Sequence, residues 1–457
     1  MKKRFLSLAM FVLLTMQGNA QENLWEGSSV DFSHGKLEVS ENGRYLQHED
    51  GTPFFYLGDT AWELFHRLNE EEVEKYLENR RAKGFSVIQA VVLAELDGLN
   101  IPDRNGNKPL VDNSPENPNM EYFEWVDKFV RIACDKGLYI GMLPTWGDKV
   151  DKQWGVGPEI FNEKNAFEYG KWLGERYKDF PNIIWINGGD RFGGGKNFAI
   201  WNALAEGIKS VDKNHLMSFH PQGEYSSSDW FHNEEWLDFN MAQTGHCQQN
   251  YAVYERMIKR DYEMEPVKPC MDAEPRYENH PVCWKPDSLG WFDAADERKA
   301  LYWNLFSGAL GHTYGCHDIW QMKSPEHEAV GLARGNWYTS LDLEGAGDMI
   351  HARRLMESIS WEKRCPDYGI VVSPNENPDN KVVAMRGDSS VLVYIPDGRD
   401  IVCDLSQLGN GSKLSVRWMN PRTGEYTDAG VCKASNSVGF SVSDYWKGED
   451  WVLLVRK

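Results

Sequence analysis

At 457 residues the chain is too long for one ordinary domain, and its 41% apolar and 13% aromatic content can supply a large core. Asp plus Glu number 69 against 49 Lys plus Arg, a net charge of −20, which excludes nucleic acid and anionic membrane surfaces as partners because both are held by clustered cations. An acidic glycan is not excluded, since one or two local arginines can hold a uronic acid.

The start reads as a secretory signal peptide over residues 1–20. Lys2, Lys3 and Arg4 are followed by an apolar run from Phe5 to Met16 and a small-x-small site at Gly18-Asn19-Ala20. That run is shorter than the ~18 residues a membrane anchor needs. The first cysteine is Cys134, far from the cleavage site, which disfavours a lipid anchor. An exported protein, periplasmic or extracellular, is expected. The other cysteines are Cys247, Cys270, Cys283, Cys316, Cys365, Cys403 and Cys432. Their even number permits disulfides in an exported chain, with Cys403–Cys432 as one pairing to look for. Cys134 and Cys270 sit in apolar surroundings typical of buried thiols, and no pair has zinc spacing.

Residues 36–54 alternate and turn at Asn42-Gly43 and Asp50-Gly51, which predicts a small hairpin. Eight short apolar runs follow, beginning at residues 54, 85, 138, 183, 216, 239, 268 and 310. Helical patterns lie between them, among them 70–84, 120–137 and 165–178. Asn69 is placed to cap the first helix, and Gly84 and Gly137 mark helix ends. Eight strands alternating with helices predict an α/β fold, a (β/α)8 TIM barrel over residues 21–360 that includes the hairpin. An open doubly wound sheet is the rival, but "GDTAW" after the first strand is not its glycine-rich phosphate turn. Beyond residue 360 the helical period stops, and short strands with tight turns predict an all-β sandwich over 361–457.

In such a barrel, chemistry sits at the C-terminal strand ends. The first strand ends at Asp59 and Trp62. The second carries Gln89 and runs out at Glu95. The third ends at Trp146 and Asp148, the fourth at Asp190-Arg191, the fifth at His220. The sixth offers Gln243 and His246, the seventh Glu274, and the eighth His312, Tyr314, His317 and Asp318. Asp190 and Glu274 follow directly on apolar strands at the spacing of three barrel units, which fits the fourth and seventh strands. Glycoside hydrolysis needs such a pair, one carboxyl to protonate the leaving oxygen and one to attack or to activate water. The two glycines before Asp190 are read as allowing close approach of backbone and substrate. Either carboxylate could instead be structural, Asp190 as a helix cap or a partner of the neighbouring arginine and Glu274 as a partner of Arg276. Asp272 is a rival catalytic carboxylate.

Asp59 and Asp148 are read as sugar ligands or loop caps. Trp62, Trp146, Trp154, Trp230, Trp284, Trp291 and Trp320 fall in or beside the loops, where indole faces stack on sugars. His220, His246, His312 and His317 are read as hydroxyl ligands or satisfied core residues rather than metal ligands. The long loop 97–120 contains "DRNGNK", which lacks the glycine and distal glutamate of a calcium loop and is read as a turn. Signatures of a serine elbow, a zinc protease and a phosphate loop are absent.

The segments "YLGDTAWELFHRL", "GFSVIQA", "PTWGDK", "IIWINGGDR" and "DAEPRYE", followed by a sandwich with "WMNPRTGEY", resemble the apiosidase-like glycoside hydrolases over essentially the whole mature chain. That resemblance implies a barrel joined to a C-terminal β-sandwich, acting on apiose linkages in the pectin rhamnogalacturonan II. It implies retention, with Asp190 as acid/base and Glu274 as nucleophile. Substrate would be held by Asp59, Trp62, Gln89, Trp146, Asp148, Arg191, His220, Gln243, Tyr277, Trp284 and His312. The expected partner is an oligo- or polysaccharide, the expected state a monomer, and no cofactor or metal is called for. A glycosidase with another sugar specificity, a non-catalytic glycan-binding barrel and a metal-dependent or serine hydrolase are the competing readings.

Overall fold

The computed structural model describes residues 24–457. The signal peptide expected at 1–20 lies outside them. Eight parallel strands form the barrel: β1 (Tyr56–Thr60), β2 (Val87–Leu93), β3 (Tyr139–Thr145), β4 (Ile183–Arg191), β5 (Met217–Pro221), β6 (Asn240–Gln243), β7 (Cys270–Asp272) and β8 (Gly311–Tyr314). Sequential neighbours pair from β1 to β5 and from β6 to β8, and β8 returns to β1 with Gly311 opposite Tyr56. Between β5 and β6 the seam is closed by Asp238 N–H donating to Met217 O at 2.9 Å and Ser218 Oγ donating to Phe239 O at 2.7 Å. A short antiparallel strand, Tyr225–Ser226, also runs along β6.

Strands such as β2 and β3 are buried at every residue. Their apolar runs do not alternate because side chains fill the barrel on one face and meet helices on the other. The helices start where the sequence can satisfy their first N–H groups. Asn69 and Glu72 form a reciprocal capping box on α1 (Glu70–Ala82), and Asn119 caps α2 (Met120–Asp135). Asn162 caps α3 (Glu163–Tyr177), and α4 (Phe198–Val211) follows β4. The predicted hairpin is a three-stranded antiparallel sheet, Leu37–Val39, Leu46–His48 and Pro53–Phe54. Phe54 packs edge-on against Tyr139 at 5.3 Å, so this sheet lies against the strand starts, away from the chemistry.

The C-terminal region holds a six-stranded antiparallel sheet and a two-stranded one. Residues of the large sheet alternate between two cores. Val383, Met385, Leu392, Tyr394, Val452 and Leu454 join the barrel's core, while Ala384, Val391, Val393, Leu453 and Val455 pack with Ile401 and Phe440 of the small sheet. Arg298, on the helix Ala294–Phe306, pins this junction through Asp348 at 2.6 Å and Asp450 at 3.0 Å. The Cys403–Cys432 bridge does not form, and both thiols are free. Cys247 and Cys283 are joined instead, linking the loops after β6 and β7. Among the described residues no helix is long and apolar enough to cross a membrane.

Candidate active site

A cavity of about 590 Å³ opens at the C-terminal ends of the strands, and both Asp190 and Glu274 line it. Asp190 reaches it through a local break in β4. The pairing with β5 runs Gly188 opposite His220 and then jumps to Arg191 opposite Pro221, so Gly189 and Asp190 bulge out of the ladder. Gly188, Gly189 and Asp190 have φ values of 92°, 121° and 53°. A Cβ on Gly188 would lie 2.4 Å from His220 O, and one on Gly189 2.9 Å from Gly147 N. The close approach served by the glycines is therefore to neighbouring strands, not to substrate. Aspartate tolerates the left-handed position that follows.

Glu274 stands just past β7. Its backbone carbonyl accepts from Gly245 N–H at 3.1 Å, and Gln89 Nε2, reaching across the barrel, donates to Ala273 O at 3.0 Å. Gln89 thus positions the strand end and does not line the cavity. Two imidazoles grip the Glu274 carboxylate. His246 Nε2 lies 3.1 Å from Oε1, and His220 Nε2 lies 2.9 Å from Oε2. The Asp190 N–H donates to His220 Nδ1 at 3.4 Å, which leaves the proton on Nε2, facing Glu274. His220 therefore bridges the two carboxylates' strands and serves Glu274 rather than a sugar hydroxyl.

The two carboxylates are pushed apart electrically. Burial raises Asp190 to about 6, aided by the negative charge of Glu274. Burial would also raise Glu274, but the close imidazoles of His220 and His246 outweigh it and hold the carboxyl down at about 2. At neutral or mildly acidic pH Glu274 is charged, and Asp190 is the group that can carry a proton.

Trp62, Trp146, Gln243, Tyr277 and Trp284 line the same cavity. Trp62 and Trp146 pack at 5.2 Å as its floor, while Trp284 is exposed at the rim. The other candidates are used inside the protein. Asp59 is fully buried against Arg80 at 2.6 Å and also accepts from Tyr76, so it is neither a sugar ligand nor a loop cap. Asp148 pairs with Lys149 at 2.7 Å and accepts from Gly157 N–H at 2.8 Å. Arg191 turns from the cavity, donates to the carbonyls of Asp151 and Asp190, and stacks on Trp154 at 4.2 Å. His312 is enclosed beside Asn304, and burial pushes it to about 3. Asp272 is buried with Thr244 Oγ1 donating to it at 2.6 Å and stays out of the cavity.

The sequence reading left several lining residues out of the site. Trp154, on the loop after β3, donates from Nε1 to Asp190 Oδ2 at 3.2 Å. His280 stacks on His246 at 4.4 Å and meets His317 edge-on at 4.2 Å. Burial drives His280 and His317 below the ordinary histidine range, so these two are neutral. Glu95, where the second strand runs out, also lines the cavity. Trp154 was visible as a loop tryptophan and His246, His317 and Glu95 as strand-end residues; His280 carried no such signal. Among the described residues no group of His, Cys, Asp and Glu is arranged to hold a metal ion.

Comparison with known proteins gives a consistent picture. The family model "Apiosidase-like, catalytic domain" matches residues 40–363, and a model of a collagen-binding-like domain matches residues 365–456. A solved structure described as a glycoside hydrolase shares 36% identity, with TM-score 0.87, covering 94% of this chain and 98% of its own. Another, a glycoside hydrolase family 5 protein from Bacteroides vulgatus, shares 35% identity at TM-score 0.86, covering 94% and 95%. A β-L-arabinopyranosidase from Geobacillus stearothermophilus, 11% identical at TM-score 0.52 and covering 95% and 100%, shares the fold alone. No curated protein gives a significant match.

Proposed function

As the chain belongs to the apiosidase-like family and is a glycosidase, we propose that it is a retaining enzyme that cleaves apiose linkages in the side chains of rhamnogalacturonan II. One observation carries the catalytic assignment. Asp190 and Glu274 face a single cavity, and their surroundings push their proton affinities in opposite directions.

In this reading protonated Asp190 gives its proton to the glycosidic oxygen as the bond to the anomeric carbon breaks. Glu274 attacks that carbon from the other face and forms a glycosyl ester. Asp190, now a carboxylate, removes a proton from water. The water attacks the anomeric carbon and releases Glu274, so two inversions give net retention. Trp62 and Trp146 supply apolar faces for the sugar's C–H groups, and Gln243 and Tyr277 supply polar contacts. His220 and His246 keep Glu274 charged and oriented. The signal-like N-terminus would export the enzyme to where plant cell-wall polymers are met.

The test is incubation with defined rhamnogalacturonan II side-chain oligosaccharides, with product identification and anomeric NMR. Apiose-terminated cleavage with the first-formed anomer retained is expected. Inversion would replace Glu274's role as nucleophile by that of a general base. Activity confined to other glycosides would replace the sugar while keeping the carboxylate pair.

A further inference from the structure

Glu95 has no role in the mechanism above, yet it stands in the same cavity as Asp190 and Glu274. Its backbone is fixed. Asp97 N–H donates to Glu95 O at 2.8 Å, Trp146 N–H to Leu93 O at 3.0 Å, and Lys149 Nζ to Ala94 O. The side chain is half-buried, and among the described residues no side chain or backbone N–H donates to its carboxyl. A half-buried carboxyl that lines the cavity and takes no hydrogen bond from the protein is free to meet a ligand there.

The charges around Glu95 make ionisation still harder. Asp190 faces it from β4, Glu63 from the loop after β1, and Asp148 and Lys149 from the turn after β3. Lys149 is the one cation of that set, and its ammonium is engaged by Asp148 and the Ala94 carbonyl. Glu63 is committed to His66 and Arg67. Burial and the neighbouring Asp190 carboxylate therefore raise Glu95 well above the ordinary glutamate range.

We propose that Glu95 is a substrate-contacting residue of this site, presenting a carboxyl O–H to a sugar oxygen on the Asp190 side of the cavity. The proposal rests on the glycosidase reading and deepens it. A neutral carboxyl beside the acid can donate to the sugar without adding a charge that would bind Asp190's proton more tightly. An ionised Glu95 could only accept, and it would raise Asp190 further. A glutamine reproduces the neutral donor and acceptor of a protonated glutamate, whereas alanine removes both.

The experiment compares wild type, E95Q, E95A and E274A over a range of pH, with rhamnogalacturonan II side-chain oligosaccharides and an aryl-glycoside panel as probes. E95Q should hold kcat/KM within about 2-fold of wild type, and E95A should lose about 10-fold, chiefly through KM, as one hydrogen bond is deleted. The alkaline limb of kcat/KM, set by Asp190, should stay in place in E95Q. A limb displaced to lower pH in E95Q would mean that Glu95 is ionised and would overturn the proposal. So would an E95A enzyme with wild-type KM. E274A separates the two readings: if it remains active the catalytic pairing of Asp190 with Glu274 fails, and if it is inactive while E95A is normal only the role of Glu95 fails.

Discussion

Asp59 and Asp190 each close a barrel strand, and their surroundings are opposite. Asp59 lies in the regular ladder of β1, is wholly buried, and is held by Arg80 and Tyr76 from α1. Asp190 sits on a bulge. The arginine beside it gives its hydrogen bonds to backbone carbonyls and stands 3.5 Å from the carboxylate, and the donor at 3.2 Å is the indole of the exposed Trp154. One carboxylate sits directly on a buried guanidinium and ties a helix to the barrel; the other has its arginine at 3.5 Å, mostly spent on backbone carbonyls, and burial with the charge of Glu274 outweighs it. A strand-end position offers an acid to the cavity, but the local backbone and the partner supplied by the next helix decide whether it is a strut or a reagent.

The sharpest way to break this comparison is E274A, which removes the charge opposite Asp190. Turnover should fall by about 10³-fold or more with the thermal transition retained, as measured by initial rates and calorimetry. Near-normal activity would end the pairing of these two residues. On the structural side, R80A leaves Asp59 buried without its cation and should cost about 3–5 kcal/mol in urea unfolding. A loss below about 1 kcal/mol would mean that Asp59 is not a strut.

G189A tests the bulge. An alanine at φ 121° with its Cβ 2.9 Å from Gly147 N is strained. It should destabilise by about 1–3 kcal/mol and reduce kcat by displacing Asp190. Unchanged kcat would separate the glycines from the placement of the acid. The smallest expected effect is in H246A. His246 donates to Glu274 and lowers its proton affinity, so its loss must raise that of Glu274. Because Glu274 acts ionised, the acidic limb of kcat/KM should move to higher pH, by about one unit. A limb moving to lower pH, or not moving, would contradict the proposed charge state.

Much of the frame was legible in the chain. Apolar runs, capping residues and end glycines describe β1 to β8 and α1 to α3 because burial and helix-end hydrogen bonding are local demands. Asp190 and Glu274 were legible from their spacing along those strands. The functions of Asp59, Gln89, Asp148, Arg191 and His312 were not, since each is set by a group remote in sequence or by a neighbour's direction: Arg80, the Ala273 carbonyl, Gly157, Trp154, Asn304. The Cys247–Cys283 link shows the same limit. Its cysteines lie 36 residues apart on separate loops, and only the circular order of the strands brings those loops together at the cavity rim.

The linear order of residues by itself determined an alternating strand–helix barrel, a trailing sandwich and two acids delivered from the fourth and seventh strands. Hydrophobic period and chain spacing suffice for that. The closed barrel alone decided which carboxyl is charged, which can keep its proton and which is locked to an arginine. Proton affinity depends on desolvation and on groups a few ångströms away, and those neighbours exist only after the chain has folded.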